Sequence, residues 1–188
     1  IINTIMNHLT NIYYFIEDFN SNEILSLDKK INIIFRNYKL KNKVPIIIKL
    51  KEFCKKNNRK LFISNELSLS LRFKLDGLYI PSFNTFLKYK NLNSKKNFKL
   101  IGSAHNKVEL RIKRNQGCEQ ILLSPIFKTT KSKFFLGINK FNLIDLENNA
   151  SSIALGGINS SNLKKLKLTK SSGFASISWI KKNQPKKI

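Results

Sequence analysis

Acidic residues are scarce in this chain, with 11 Asp and Glu against 35 Lys and Arg in 188 residues, a formal charge of +24. Few carboxylates are therefore available for any hard-cation site. Arginine is scarce too: 5 of the cations are Arg, and the 30 lysines are spread over the whole length among Asn and Ile. Surfaces that read nucleic-acid sequence favour the bidentate arginine fork, and RNA platforms use aromatics clustered on strands. Neither pattern is present, so nucleic acid is not the expected partner. The charge reads as background composition that raises the local concentration of anionic small molecules. The two cysteines, Cys54 and Cys118, form no CxxC pair and no metal-ligand spacing. They are expected to be buried, reduced core residues of a cytosolic protein. No apolar run approaches the roughly 18 residues of a membrane span. The opening IINTIMNHLT carries neither the basic region nor the cleavage site of a signal peptide, and the expected location is cytoplasmic.

What is present is a recurrence. Apolar runs of strand length fall near Ile12–Ile16, Ile31–Phe35, Lys60–Ile63, Gly77–Ile80, Lys99–Ile101, Gln120–Leu123, Ser152–Leu155 and Phe174–Ile177. The clearest helical segments between them are Pro45–Asn57, Lys107–Gln116, Lys140–Glu147 and Asn162–Leu168, with weaker signals at Asn22–Leu27 and Glu66–Lys74. Strands alternating with helices imply βα units around a parallel sheet. The expected fold is α/β: a small (β/α)8 TIM barrel in a single domain over residues 1–188. The short basic tail Lys181–Ile188 implies an abbreviated or missing last outer helix, with Ile2–Leu9 packing in its place.

Polar residues fall where a barrel of parallel strands does its chemistry, at the carboxyl ends of the strands. Arg36 follows the second strand, Asn65 and Glu66 the third, Ser103 and His105 the fifth, and Ser124 the sixth. Gly156 and Gly157 follow the seventh and Ser178 the eighth. The glycine pair precedes a helix and suits either an ordinary capped turn or a phosphate cup, in which bare main-chain N–H groups wrap an anion. With Ile177 and Ser178 closing the neighbouring strand, a phosphate site between strands seven and eight is the better reading. The loop KTTKSKFFLG, Lys128–Gly137, with three lysines and two threonines, suits a lid over an anionic leaving group as well as a solvated charge run. Histidine titrates near neutrality, so His105 is a candidate acid/base as well as a candidate structural residue. Glu66 is a candidate ligand for a hard cation such as Mg²⁺.

These motifs, in this order, resemble the thiamine phosphate synthase/TenI family over most of the chain. A family pattern like QLREK is met by Ile34-Phe35-Arg36-Asn37-Tyr38, with the arginine retained and the glutamine and lysine replaced. Asn-Asp after the third strand is met by Asn65 and Glu66. A DGVHLGQED-like run is met by Asp76–Asn84, which places Asn84 where the family has its second Mg²⁺-binding acid. The serine-histidine segment, the GPIFPT-like run and the GGI motif are met by Ser103–Asn106, Ser124–Thr129 and Gly156–Ile158. The resemblance implies a small phosphate-binding barrel that joins hydroxymethylpyrimidine pyrophosphate to thiazole phosphate. Arg36, Ser103, His105 and Lys133 would then be catalytic. Asn65, Thr129, Lys131, Gly156, Gly157, Ile177 and Ser178 would bind substrate, and Glu66 and Asn84 would hold Mg²⁺. Lys131 and Lys133 compete for one family lysine, because the loop spacing differs. Partners would be small phosphorylated thiamine precursors and no membrane, with a homo-oligomer left open. The alternatives are a TenI-type thiazole tautomerase using a histidine and no metal, a catalytically weakened regulatory homologue that binds phosphate ligands, and a basic nucleic-acid-binding protein.

Overall fold

The computed structural model describes residues 9–90, 92, 97–130 and 132–176. In chain order the elements are β1 (Asn11–Ile16), α1 (Ser21–Ser26), β2 (Ile31–Phe35), α2 (Val44–Lys56), β3 (Leu61–Ser64), α3 (Leu67–Arg72) and β4 (Gly77–Ile80). They continue with β5 (Lys99–Ala104), α4 (Lys107–Asn115), β6 (Gln120–Leu123), α5 (Gly137–Asp145), β7 (Ser151–Leu155), a 3-10 helix (Leu163–Leu168) and β8 (Gly173–Ser176). All eight strands pair in parallel with their sequence neighbours, and β8 returns to β1, closing the barrel. The expected α/β barrel is therefore the observed one. Among the described residues no α-helix joins β4 to β5. The expected eighth strand matches through Ser176, while Ile177, the basic tail and Ile2–His8 lie outside the described residues.

Boundary differences have local causes. The segment expected as the helix Asn162–Leu168 is a 3-10 helix over Leu163–Leu168. It is a run of LKKLKL with only Leu163 and Leu166 buried, a spacing of three that suits three residues per turn. Strand β5 runs three residues beyond its expected end at Ile101, because Gly102, Ser103 and Ala104 pair with Ile121, Leu122 and Leu123. Small residues hid this extension, since a strand pattern is read from apolar bulk.

Alternation sorts each strand into two environments. Tyr13, Phe15, Ile34, Phe62, Tyr79, Ile101, Leu122, Ile153 and Ala175 point inward and fill the barrel. Tyr13 meets Phe62 edge-on at 5.7 Å and Phe15 meets Tyr79 at 5.3 Å between ring centroids, the arrangement that aromatic quadrupoles prefer. The outward positions, such as Ile12, Ile33, Ile63, Leu78 and Ile121, pack under the helices. The amino-terminal end of the interior is closed by a polar plug, in which the Tyr13 hydroxyl donates to Gln120 and Gln120 donates to Asn11 at 2.9 Å. Cys54 and Cys118 are free and buried, as expected.

Helix α2 buries Ile47, Leu50 and Cys54 on one stripe and carries Pro45 in its first turn, where a missing N–H costs nothing. Helix α4 is capped by Asn106, whose side chain accepts the Glu109 N–H at 2.9 Å. Its apolar face looked incomplete in sequence, and the structure supplies the reason. Val108 is exposed, and Lys113 completes the buried stripe with Leu110.

Candidate active site

Tyr79, on β4, is the centre of the mouth at the carboxyl-terminal end of the barrel. It faces inward in register with Ser64 and Ile101. Burial pushes its phenol up to about 12, opposed by hydrogen bonds to Ser103 and Arg36 and by the Arg36 charge. The hydroxyl thus stays protonated at neutral pH and can donate to an anion. Arg36 lies 4.6 Å over the Phe15 ring, which orients its guanidinium by cation–π attraction. Two residues on, the Tyr38 hydroxyl meets Ser64 Oγ at 2.8 Å. Arg36, Tyr38, Ser64, Tyr79 and Ser103 therefore form one polar cluster from four adjacent strands or their loops. A guanidinium with several hydroxyls suits a phosphoryl group.

Beside it, the β3–α3 turn presents Asn65 and Glu66. Asn65 adopts φ 61, a left-handed conformation that asparagine tolerates, and its Oδ1 accepts from Asn84 Nδ2 at 2.5 Å. Asn84 also donates to the Tyr89 hydroxyl at 2.8 Å and accepts the Phe86 N–H at 3.1 Å. The loop bearing Asn84 is held from beneath by Lys113 of α4. Its ammonium donates to Pro81 O at 2.7 Å, Asn84 O at 2.6 Å and Gln116 Oε1 at 3.0 Å. Burial lowers the Lys113 pKa to about 8. Gly102 makes room for this side chain, since a Cβ there would lie 2.9 Å from Lys113 Cδ.

Glu66 is paired with Lys43, 2.7 Å away and 13 % exposed. The resemblance implies Mg²⁺, and the donors here are one carboxylate with the two linked amides of Asn65 and Asn84. Among the described residues no group of three or more His, Cys, Asp and Glu exists that could cage a metal. Hard oxygen donors of this kind fit an ion that keeps its waters and takes most of its remaining ligands from phosphate.

Across the mouth, Gly156 and Gly157 lie against the β6–α5 loop. Phe127 N–H donates to Gly156 O at 3.1 Å, and Ile126 N–H to Leu155 O at 2.8 Å. A Cβ on Gly157 would come within 2.4 Å of Phe127 O and 2.6 Å of Lys128 O. The missing side chain thus admits a neighbouring backbone, and the glycine turn and the Ser124–Lys128 run are one welded unit. On the far side of that unit, Thr129 Oγ1 accepts the Ser132 N–H at 3.0 Å, while Lys133 is exposed beside exposed Phe134 and Phe135.

The structure brings Arg36 and Ser103 to Tyr79, and Asn65 to Asn84. His105 follows Ala104 at the carboxyl end of β5. Its ring Nδ1 and its backbone N–H both meet Glu109 Oε2 at 2.8 Å, and its side chain is 48 % exposed. Histidine and Glu109 together close the first turn of α4. Lys131, Ile177 and Ser178 lie outside the described residues. Sequence reasoning missed Tyr79, Lys43 and Lys113. Tyr79 had a usable signal, because it lies two residues from Gly77 on the inward phase of β4. The other two had none.

A closed parallel barrel with its polar cluster and glycine turn at the carboxyl rim defines the class: a small (β/α)8 barrel protein. Residues 23–180 match the model of the thiamine monophosphate synthase family, and the chain belongs to that family. It is 30% identical over 139 residues to the thiamine-phosphate synthase of Prochlorococcus marinus strain AS9601, covering 71% of this chain and 38% of that protein. It is 29% identical over 147 residues to that of Pelagibacter ubique strain HTCC1062, covering 76% of this chain and 70% of the relative. The chain spans little more than a third of the length of the Prochlorococcus relatives it matches. Among solved structures, the thiamine phosphate pyrophosphorylase of Pyrococcus furiosus superposes with a TM-score of 0.75 at 14% identity, over 95% of this chain and 94% of that one.

Proposed function

We propose that this chain is a thiamine phosphate synthase. The observation that carries the reading is the convergence of Arg36 and Ser103 on the buried Tyr79 phenol, facing a glycine turn across the mouth. In the reaction the methylene–oxygen bond of hydroxymethylpyrimidine pyrophosphate breaks and pyrophosphate leaves with the electron pair. The ring nitrogen of thiazole phosphate then forms the new bond to that methylene carbon. Arg36 and Ser103 with Tyr79 would hold the pyrophosphate and stabilise charge as it develops on the leaving oxygen, with Asn65 and a lysine of the 128–137 loop completing the contacts. By the resemblance, Thr129 and either Lys131 or Lys133 would supply these loop contacts. Gly156, Gly157, Ile177 and Ser178 would hold the thiazole phosphate. Glu66 and Asn84 would hold Mg²⁺, which when bound supplies further positive charge to the pyrophosphate.

The test is to incubate the purified chain with both precursors and Mg²⁺ and detect thiamine phosphate, beside Arg36→Ala and His105→Ala. Product from the parent and the His105→Ala variant, with its loss in Arg36→Ala, is expected. Isomerisation of thiazole carboxylate phosphate without metal, abolished by His105→Ala, would replace this reading with the tautomerase.

A further inference from the structure

At the amino-terminal face of the barrel, opposite the mouth, the start of β3 and the ends of α2 and α3 enclose a cavity of about 360 Å³. Its lining includes Lys51, Lys55, Arg59, Lys60 and Lys74 against one carboxylate, Asp76. That carboxylate is already engaged, with Asp76 Oδ2 accepting the Leu61 N–H at 2.9 Å. Arg59 is 6% exposed, and its partners are neutral. Nη1 donates to Asp28 O at 2.6 Å and Ile31 O at 2.9 Å, and Nη2 donates to Leu27 O at 2.6 Å. None of the ion pairs among the described residues involves Arg59. Its Nε is the one buried side-chain nitrogen or oxygen among them without a hydrogen-bond partner.

A buried guanidinium whose hydrogen bonds all go to carbonyls, with the Asp28 charge nearby and no ion pair to it, keeps a charge that an anion would further neutralise. An unsatisfied buried donor likewise calls for a partner. We propose that this basal cavity is a second anion site, separate from the mouth, that binds a small phosphate compound of several negative charges. The donor chemistry selects phosphate over carboxylate. Arg59 has committed its planar fork to carbonyls, so the bidentate geometry that recognises a carboxylate is spent. What remains is the Arg59 charge in the lining and four ammonium groups, which act as point charges and match the spread charge of a di- or triphosphate. The volume falls at the small end of ligand pockets, roughly 300–1,000 Å³.

The test is calorimetric titration of the full chain with sodium tripolyphosphate near physiological ionic strength, in an Arg36→Ala background that removes the guanidinium of the mouth. Binding at one site per chain is expected to survive there. Adding Lys60→Glu and Lys74→Glu, both exposed positions, should weaken it by about tenfold or more through charge reversal at short range. Lys51→Gln gives a milder second variant with a smaller loss in the same direction. Lys167→Glu with Lys170→Glu, exposed and carried after β7 rather than beside β3, makes the same charge change away from the cavity and should have little effect. Citrate should bind much more weakly than tripolyphosphate. No binding in the Arg36→Ala background would overturn the proposal, as would an equal loss in the remote control. Equal affinity for citrate would overturn the assignment to phosphate.

Discussion

Alanine placed at Gly157 and at Gly137 separates two costs that are usually confounded. Both glycines have positive φ, 71 and 67, so an L-residue at either carries the same left-handed penalty of about 1–2 kcal/mol. At Gly137 nothing lies within 4 Å of the added Cβ, and that penalty is the whole effect. At Gly157 the methyl would sit 2.4 Å from Phe127 O and 2.6 Å from Lys128 O. Both are backbone atoms in a loop tied by hydrogen bonds to Leu155 and Gly156, so no rotamer change relieves the contact. Overpacking of this kind costs about 1–3 kcal/mol more. Gly137→Ala should therefore destabilise by about 1–2 kcal/mol and Gly157→Ala by about 2–5 kcal/mol. Urea unfolding of both variants with unchanged slope measures the difference. A second readout is thiazole-phosphate affinity, which should fall in Gly157→Ala because the glycine turn assigned to that phosphate is displaced, and hold in Gly137→Ala. Equal destabilisation at the two positions would refute the welded-loop account and leave Gly157 as a glycine of conformation only.

Lys113→Met should destabilise the chain by about 1–3 kcal/mol, since it strips donors from the carbonyls of Pro81 and Asn84. Its pH signature is specific. The folded pKa is about 8 against an ordinary 10.5, so between these values the unfolded chain binds more protons. Parent stability should then rise with pH relative to Lys113→Met across that window, and parallel stability curves would show that Lys113 does not titrate there. In Mg²⁺ titrations followed both by turnover and by displacement of Mn²⁺, Asn84→Asp should tighten binding and Glu66→Gln should weaken it, each by a few kcal/mol at most for one charge at an effective dielectric of about 20. Lys43→Met should also tighten binding, because the ammonium 2.7 Å from Glu66 competes for the same carboxylate. Identical metal dependence in all four proteins would remove Glu66 and Asn84 from the cation site.

The sequence by itself determined the barrel. Strand-length apolar runs separated by helical segments leave a parallel sheet few ways to cover both faces, and polar residues after the strands then fall on one rim by topology. Arg36, Asn65, Glu66, Ser103 and the Gly156–Gly157 pair were legible for that reason. What a side chain does on the rim depended on contacts between residues far apart in the chain. His105 read as an acid/base or a structural residue, and the cap of α4 set Glu109 against its ring Nδ1. Gly157 read as an opening for phosphate, and its missing Cβ also lets the backbone after β6 pack against the turn. Nothing in the sequence set Lys113 or Arg59 apart from the many other cations, yet packing buried both. One ended with three acceptors that fix the loop of Asn84 and the other with carbonyls and an unsatisfied Nε–H. Hydrophobic period is a local property that sequence records directly. The partner of a buried charge is a tertiary property, set only when the barrel closes and brings the strands and helices around it.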